Sequence, residues 1–359
     1  MNSRDRVTTA LNHCQPDRTP KGFFATAEST HALQEFLGVE DQDAVLEKLG
    51  VDLRHVEPVF VGPEERSGGL GQIEKPFADF WGVGRKLVSN QFGKYSEITE
   101  NPLAGVKTVA EIETYEWPMQ EWFDCSTISE QIEKANHSEK RFINYHRAGK
   151  LFEICWPLQG MEQCMMDMLT QPELIEAMLK KVIELYAVLA KRVIQAGAGR
   201  IDMVTIGDDI GTQQGMMISP QLWRSILKPY LKDMIGVFHD LGVKVMYHSC
   251  GSILPVIPDL IEIGVDILEP IQTLAEGMVP SFLKGTYGHW LCFHGGVDEQ
   301  ELLPNGTPER IRREVSQLCR VLGESGGYIM MATHAFQPDT PCENIVAMYE
   351  AAEVAHNDR

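Results

Sequence analysis

The sequence has no apolar run approaching the ~18 residues needed to cross a bilayer, which excludes a membrane-spanning helix. Its opening, Met1-Asn2-Ser3-Arg4-Asp5-Arg6, is charged and leads into no apolar stretch, so no secretory leader and a cytoplasmic location are expected. Blocks of Lys and Arg are missing, and acidic residues outnumber basic ones 51 to 32, for a formal charge of −19. That balance lacks the basic footprint of a nucleic-acid binder and reads as a solubility device. The eight cysteines include no CxxC pair, which in a chain of 359 residues points to free thiols instead of a disulfide framework. GxGxxG and GxxxxGK[ST] are absent as well, which removes the main signature of a doubly wound nucleotide-binding sheet.

What is present has a rhythm. Residues 203–209, 244–250, 266–272, 291–298 and 327–334 are β-rich, and segments of helical spacing such as 221–241 and Pro308–Leu322 lie between them. Strands that alternate with helices build βαβ units and a parallel sheet. With 142–146 and 21–25 as upstream strands, the pattern predicts an α/β fold, a (β/α)8 TIM barrel. One domain over residues 1–359 is expected, with an elaborated N-terminal part. Residues 72–103, rich in Gly, Pro, aromatics and alternating β-formers, predict a β-hairpin excursion that carries a lid or contact surface.

Polar, ligand-capable residues close these strands: Asp208-Asp209, His248-Ser249-Cys250, Glu269-Pro270-Ile271-Gln272, His294-Gly295-Gly296-Val297-Asp298 and Thr333-His334. Barrel enzymes place their active sites at C-terminal strand ends, so the pattern predicts an enzyme. His248 and Cys250, two residues apart in a strand, project to one face, and imidazole plus thiolate suits Zn²⁺. His334 at a later strand end is the expected third ligand; a packing role for the Cys250 thiol is the alternative. Adjacent Asp208 and Asp209 face opposite ways in a strand, so one enters the pocket as acid or substrate ligand while the other caps a helix. Residues 151–157 read as another β-like run, in which Glu153 needs a partner such as a metal or Arg. Met161, Met165, Met166 and Met168 read as helix core or as the wall of an adaptable pocket. Phe23, Phe24, Trp156, Gln272 and His294 are the expected substrate contacts.

These residues also carry a resemblance. The runs 207–213 (GDDIGTQ), 247–252 (YHSCGS), 294–298 (HGGVD) and 334–341 (HAFQPDTP) resemble the uroporphyrinogen decarboxylase superfamily, and the opening with Pro16-Asp17-Arg18-Thr19-Pro20 is similar to its N-terminus. The resemblance spans nearly the whole chain and implies a (β/α)8 barrel. True uroporphyrinogen decarboxylases carry an Arg-Gln-Ala-Gly-Arg-Tyr loop whose arginines hold the substrate's carboxylates. Residues 23–29 here read FFATAES, with no arginine, which counts against a polyanionic porphyrinogen. The other branch comprises zinc methyltransferases that exchange methyl groups with a corrinoid protein, with zinc held by a His-x-Cys pair and a residue near the C-terminus. His248 and Cys250 match the pair, and His334 falls where the coenzyme-M-specific enzymes have cysteine.

The resemblance therefore implies an O-demethylase type of methyltransferase. A methyl group would pass from a small substrate, such as a methoxyarene, to the cob(I)alamin of a separate corrinoid protein. Zinc would act on the ether oxygen, with Asp208, Asp209 or Glu153 as candidate acids. No Asp-x-His-x-x-Gly cobalamin motif occurs in this chain, so the corrinoid is expected on a partner. The superfamily often forms dimers, which makes a homodimer one candidate assembly, while the sequence itself leaves the oligomeric state open. A metal-free decarboxylase of a tetrapyrrole or other carboxylated substrate is the alternative reading, and a non-catalytic small-molecule or corrinoid-binding barrel is the second.

Overall fold

A computed structural model describes residues 1–67, 76–90 and 93–354. Its centre is a seven-stranded parallel sheet in sequence order: β1 (Leu53–Val56), β2 (Phe142–Lys150), β3 (Met203–Gly207), β4 (Lys244–His248), β5 (Ile267–Ile271), β6 (Cys292–Val297) and β7 (Tyr328–Ala332). The segment 21–25 takes the eighth position: Lys21 and Ala25 bridge in parallel to Met330 and Phe336, and Asp52 donates its N–H to the Lys21 carbonyl. The curled sheet is thereby an α/β TIM barrel with helices outside. Every residue of β3, β5, β6 and β7 is buried, as in a parallel sheet covered on both faces.

The helices form for local reasons. In Pro308–Leu322, Thr307 caps the Arg310 N–H, Pro308 occupies the first turn, and Ile311, Val315, Cys319 and Leu322 make one buried stripe. At the floor of the barrel, Asp52 has a fully buried side chain. It accepts from Arg6 and Arg18 at 2.7 Å each, and from the Lys21 N–H at 2.9 Å. This carboxylate joins the first helix (Ser3–Leu11), the 21–25 segment and β1.

Four sequence expectations change. Residues 151–157 are not a strand: Phe152–Gln159 is a helix, because the Asp208 carboxylate, which arrives from β3, accepts the N–H groups of Leu151 and Glu153 at 2.9 Å each. Residues 221–241 are two helices, Pro220–Ile226 and Lys228–Asp240, broken just before Pro229. Of the four methionines, only Met168 is fully buried, and Met161 and Met166 face solvent. The β-rich runs also overshot. β3 stops at Gly207, β4 at His248 and β7 at Ala332, so Asp208, Asp209, Ser249, Cys250, Thr333 and His334 lie in the loops just beyond the strands.

Within the predicted excursion, Phe77–Ala78, Gly84–Asn90 and Gly93–Glu100 form an antiparallel three-stranded sheet. Residues 72–75 and 91–92 of that stretch lie outside the described residues. No helix among the described residues is long and apolar enough to cross a membrane.

Candidate active site at the barrel mouth

A cavity of about 310 Å³ opens at the C-terminal end of the strands. Its walls include Asp209 and His248, with Glu269 and His294 deeper and Phe23, Phe24 and His334 on the side of the first segment and β7. Asp209, His248 and Cys250 each offer a ligand atom within 4.8 Å of the others, a group that could hold a metal ion. Cys250 Sγ is 3.6 Å from His248 Nε2, and Asp209 Oδ1 is 3.3 Å from the same nitrogen. Since β4 ends at His248, a loop and not strand alternation brings Cys250 round: its N–H donates to Asp209 at 2.7 Å. Gly251 follows at φ +81, and a Cβ there would lie 2.6 Å from the Thr212 carbonyl oxygen.

Behind the group, Glu269 Oε2 lies 2.5 Å from His248 Nδ1. Burial alone would lower the His248 pKa, but Glu269, Asp209 and Cys250 outweigh it and hold the pKa well above the usual value. Glu269 moves the other way: burial would raise it, and the His248 charge brings it down to about 2. Burial would likewise raise Asp209, yet its hydrogen bond and charge interaction with His248 hold it below the usual carboxylate range. Glu269 thus holds the Nδ1 proton of His248, and Asp209 and Cys250 flank the proton on Nε2. The same donors would stabilise a divalent cation in its place, and a carboxylate that fixes the far nitrogen is the usual support for a metal-bound imidazole. The residues therefore fit zinc.

The other predicted site residues divide. His334 lines the cavity but falls outside the three-residue group, and it is exposed beside the Phe24 ring at a centroid distance of 6.4 Å. Asp208 is buried and turned to the helix Phe152–Gln159, and its pKa rises to about 7 through burial and then the Glu153 charge. Asp208 and Asp209 do point different ways, one to a helix and one to the cavity. Glu153 has neither of the expected partners, an arginine or a place in the three-residue group, and is held by a lysine and by a backbone N–H of that group. Lys150 Nζ donates to it at 2.7 Å, and it accepts the Asp209 N–H at 3.1 Å. Gln272 accepts from the Gly251 N–H at 2.8 Å and from Gln213 at 2.9 Å, so it braces the Cys250 loop. Trp156 lines a neighbouring, larger cavity.

Three residues that carry no predicted role complete the site: Glu269, His55 and His146. Glu269 stood in the strand-end pattern but nothing in the sequence paired it with His248. The rings of His55 and His146 lie 4.9 Å apart on the cavity wall. Burial, followed by a neighbouring histidine's charge, lowers them to about 4 and about 3. His294, also lowered by burial, is 3% exposed, and neither of its ring nitrogens has a hydrogen-bond partner among the described residues. Gly22 makes room for that ring, since a Cβ there would sit 2.6 Å from Nε2. The cavity wall thus presents neutral imidazoles to whatever occupies it.

Comparison with known proteins agrees with this architecture. The chain superposes on a methyltransferase from Methanosarcina mazei with a TM-score of 0.72, covering 98% of each chain at 16% identity, a likeness of fold. It is 26% identical over 170 residues to a uroporphyrinogen decarboxylase of Thermus thermophilus, covering 47% of this chain and 45% of that one. It is 24% identical over 193 residues to the Coxiella burnetii enzyme of the same name, covering 51% and 48%. The chain spans about half the length of the curated relatives it matches. The sequence profile of the uroporphyrinogen decarboxylase (URO-D) family matches residues 154–354, more than half of the chain and all of the strands from β3 to β7. The chain belongs to the uroporphyrinogen decarboxylase family.

Proposed function

We propose that this protein is a zinc-dependent methyltransferase that moves a methyl group from a small methoxylated aromatic to the cob(I)alamin of a separate corrinoid protein. The observation that carries the reading is the Asp209–His248–Cys250 group, backed by Glu269, at the mouth of the barrel. Transfer breaks a methyl C–O bond, the electron pair of cob(I)alamin forms the new bond to carbon, and an aryl oxide leaves with the old pair. Bound zinc supplies Lewis-acid stabilisation of the developing charge on that oxygen. His248, Cys250 and Asp209 would hold the ion, and His334, on the cavity wall but outside that group, would be a further donor. Glu269 fixes the His248 ring through Nδ1 and leaves Nε2 free for the ion it would hold.

The test is anaerobic incubation of zinc-loaded protein with cob(I)alamin, free or on a corrinoid carrier, and a panel of methoxyarenes and methylamines. Methylcobalamin should appear with methoxyarenes, matched by an equal amount of the phenol. Silence across the panel with an active corrinoid control would sink the reading.

A decarboxylase of a carboxylated substrate is the second reading, favoured by the shared family of the curated relatives. Against a porphyrinogen, Arg147 is the single arginine lining the barrel cavity among the described residues. Stepwise loss of carboxylates from uroporphyrinogen III at an enzymatic rate would decide for it. A binding barrel without chemistry predicts corrinoid binding with no product from either assay.

A further inference from the structure

A second cavity of about 940 Å³ adjoins the first, between the three-stranded excursion, β2 and the helix Phe152–Gln159. The two share His146, Arg147, Lys150 and Glu153 in their walls, so they meet at β2. The larger one is a chamber of half-buried aromatics. Phe60 and Phe80 stack at a centroid distance of 6.3 Å and an interplanar angle of 28°, and Trp156 joins them from the helix. Its volume lies in the range of small-molecule sites, roughly 300–1,000 Å³, whereas the barrel cavity is at the lower limit.

The junction is built by an irregularity in β2. From Tyr145 to Gly149 the strand advances four residues while β3 advances two, Val204 to Ile206, and Arg147 sits inside this bulge at φ +57. A non-glycine residue in that region costs of order 1 kcal/mol and persists where the surroundings impose it, often beside a ligand. The other cations of the two walls are matched: Lys150 by Glu153 and Arg85 by Asp79, each at 2.7 Å. Arg147 is exposed to the junction and has no carboxylate partner among the described residues. Aromatic walls with one unmatched guanidinium at the inner end fit a flat ring that carries a single negative charge.

We infer that the aromatic chamber binds the ring of the organic substrate and that Arg147 holds a carboxylate on that ring, with the reacting group directed into the barrel cavity. The substrate class is then an aromatic monocarboxylate; naming it as the methyl donor rests on the methyltransferase reading. Polyanions are disfavoured because Arg147 is the one unmatched cation among the described lining residues, and Glu57 lines the same chamber.

The experiment is isothermal titration of the zinc-loaded full chain, without corrinoid, using 3-methoxybenzoate and its neutral analogue 3-methoxybenzamide. The carboxylate should bind about tenfold more tightly or better, as a charge-assisted bidentate pair allows. In Arg147→Met and Arg147→Gly that preference should fall to about one, with the amide's affinity unchanged. Phe80→Ala should weaken both probes together. Equal affinities in the wild type, an undiminished preference in both Arg147 variants, or no binding of either probe would overturn the proposal. The readout needs neither cobalamin nor transfer. Binding without methyl transfer would therefore leave this site standing and count against the function, and transfer of a neutral methoxyarene with unchanged rates in Arg147→Met would do the reverse.

Discussion

His248 Nδ1 and Glu269 Oε2 lie 2.5 Å apart, on strands that are neighbours in the barrel but 21 residues apart in the chain. The contact leaves Nε2 as the nitrogen that faces Asp209 and Cys250. Glu269→Gln keeps the size of the side chain and removes its charge. Zinc affinity should fall about 10- to 100-fold, as for other supports of metal-bound imidazoles. Competition with a chromophoric chelator measures this. Unchanged affinity would mean that Glu269 does not position His248 for metal.

Zinc should be present at about one ion per chain after purification without chelator, because a catalytic site needs three protein ligands. Cys250→Ser should remove most of it by elemental analysis, with the circular dichroism spectrum retained, since the thiol sits in a loop beyond β4 and not in the core. His334→Ala, outside the three-residue group, should lose less metal than Cys250→Ser. A native zinc content in Cys250→Ser would remove that residue from the ligand set.

The neutral histidines set an acid limit to stability. His55 and His146 have folded-state pKa values of about 4 and about 3, below the unfolded value of ~6.5. The unfolded chain binds more protons in that window, so stability is complete above pH ~6.5 and declines as pH falls towards the folded values. Each group contributes at most about 1.4 kcal/mol per pH unit there, and less for His55, whose ring opens to the cavity. Urea midpoints measured from pH 7 to 4.5 should fall more steeply for the wild type than for a His55→Gln, His146→Gln variant. Parallel curves would contradict the assignment.

Asp52 should be the most sensitive charge in the framework. Asp52→Ala leaves Arg6 and Arg18 without their shared carboxylate and frees the Lys21 N–H. Removing one partner of such a buried pair costs about 3–5 kcal/mol. Thermal denaturation should show a clear drop in Tm, with zinc binding per folded molecule unchanged because this floor lies at the other end of the strands from the mouth. A loss under ~1 kcal/mol, the range of exposed ion pairs, would be the contrary result.

The barrel was legible because parallel strands covered on both faces read as near-continuous apolar runs, visible without any partner: β3 to β7 all lie within predicted segments. The metal-capable pair was legible for a related reason. Residues two apart stay near each other whatever the strand does, so His248 and Cys250 meet even though the strand ends between them. β1 was missed because its four residues include Arg54 and His55, whose polarity hides a strand that reaches the cavity.

The sequence by itself determined the alternation of strands and helices, the family, and the residue types gathered at the strand ends. Tertiary structure alone decided which of those residues meet. Asp208 became a helix cap and Asp209 a neighbour of His248 because their carboxylates turn apart after β3, towards elements 55 and 41 residues away. Glu269, His146 and Arg147 gained their places from strand pairing and from a bulge, and such register is a property of two chains of backbone side by side, which no single stretch of sequence encodes.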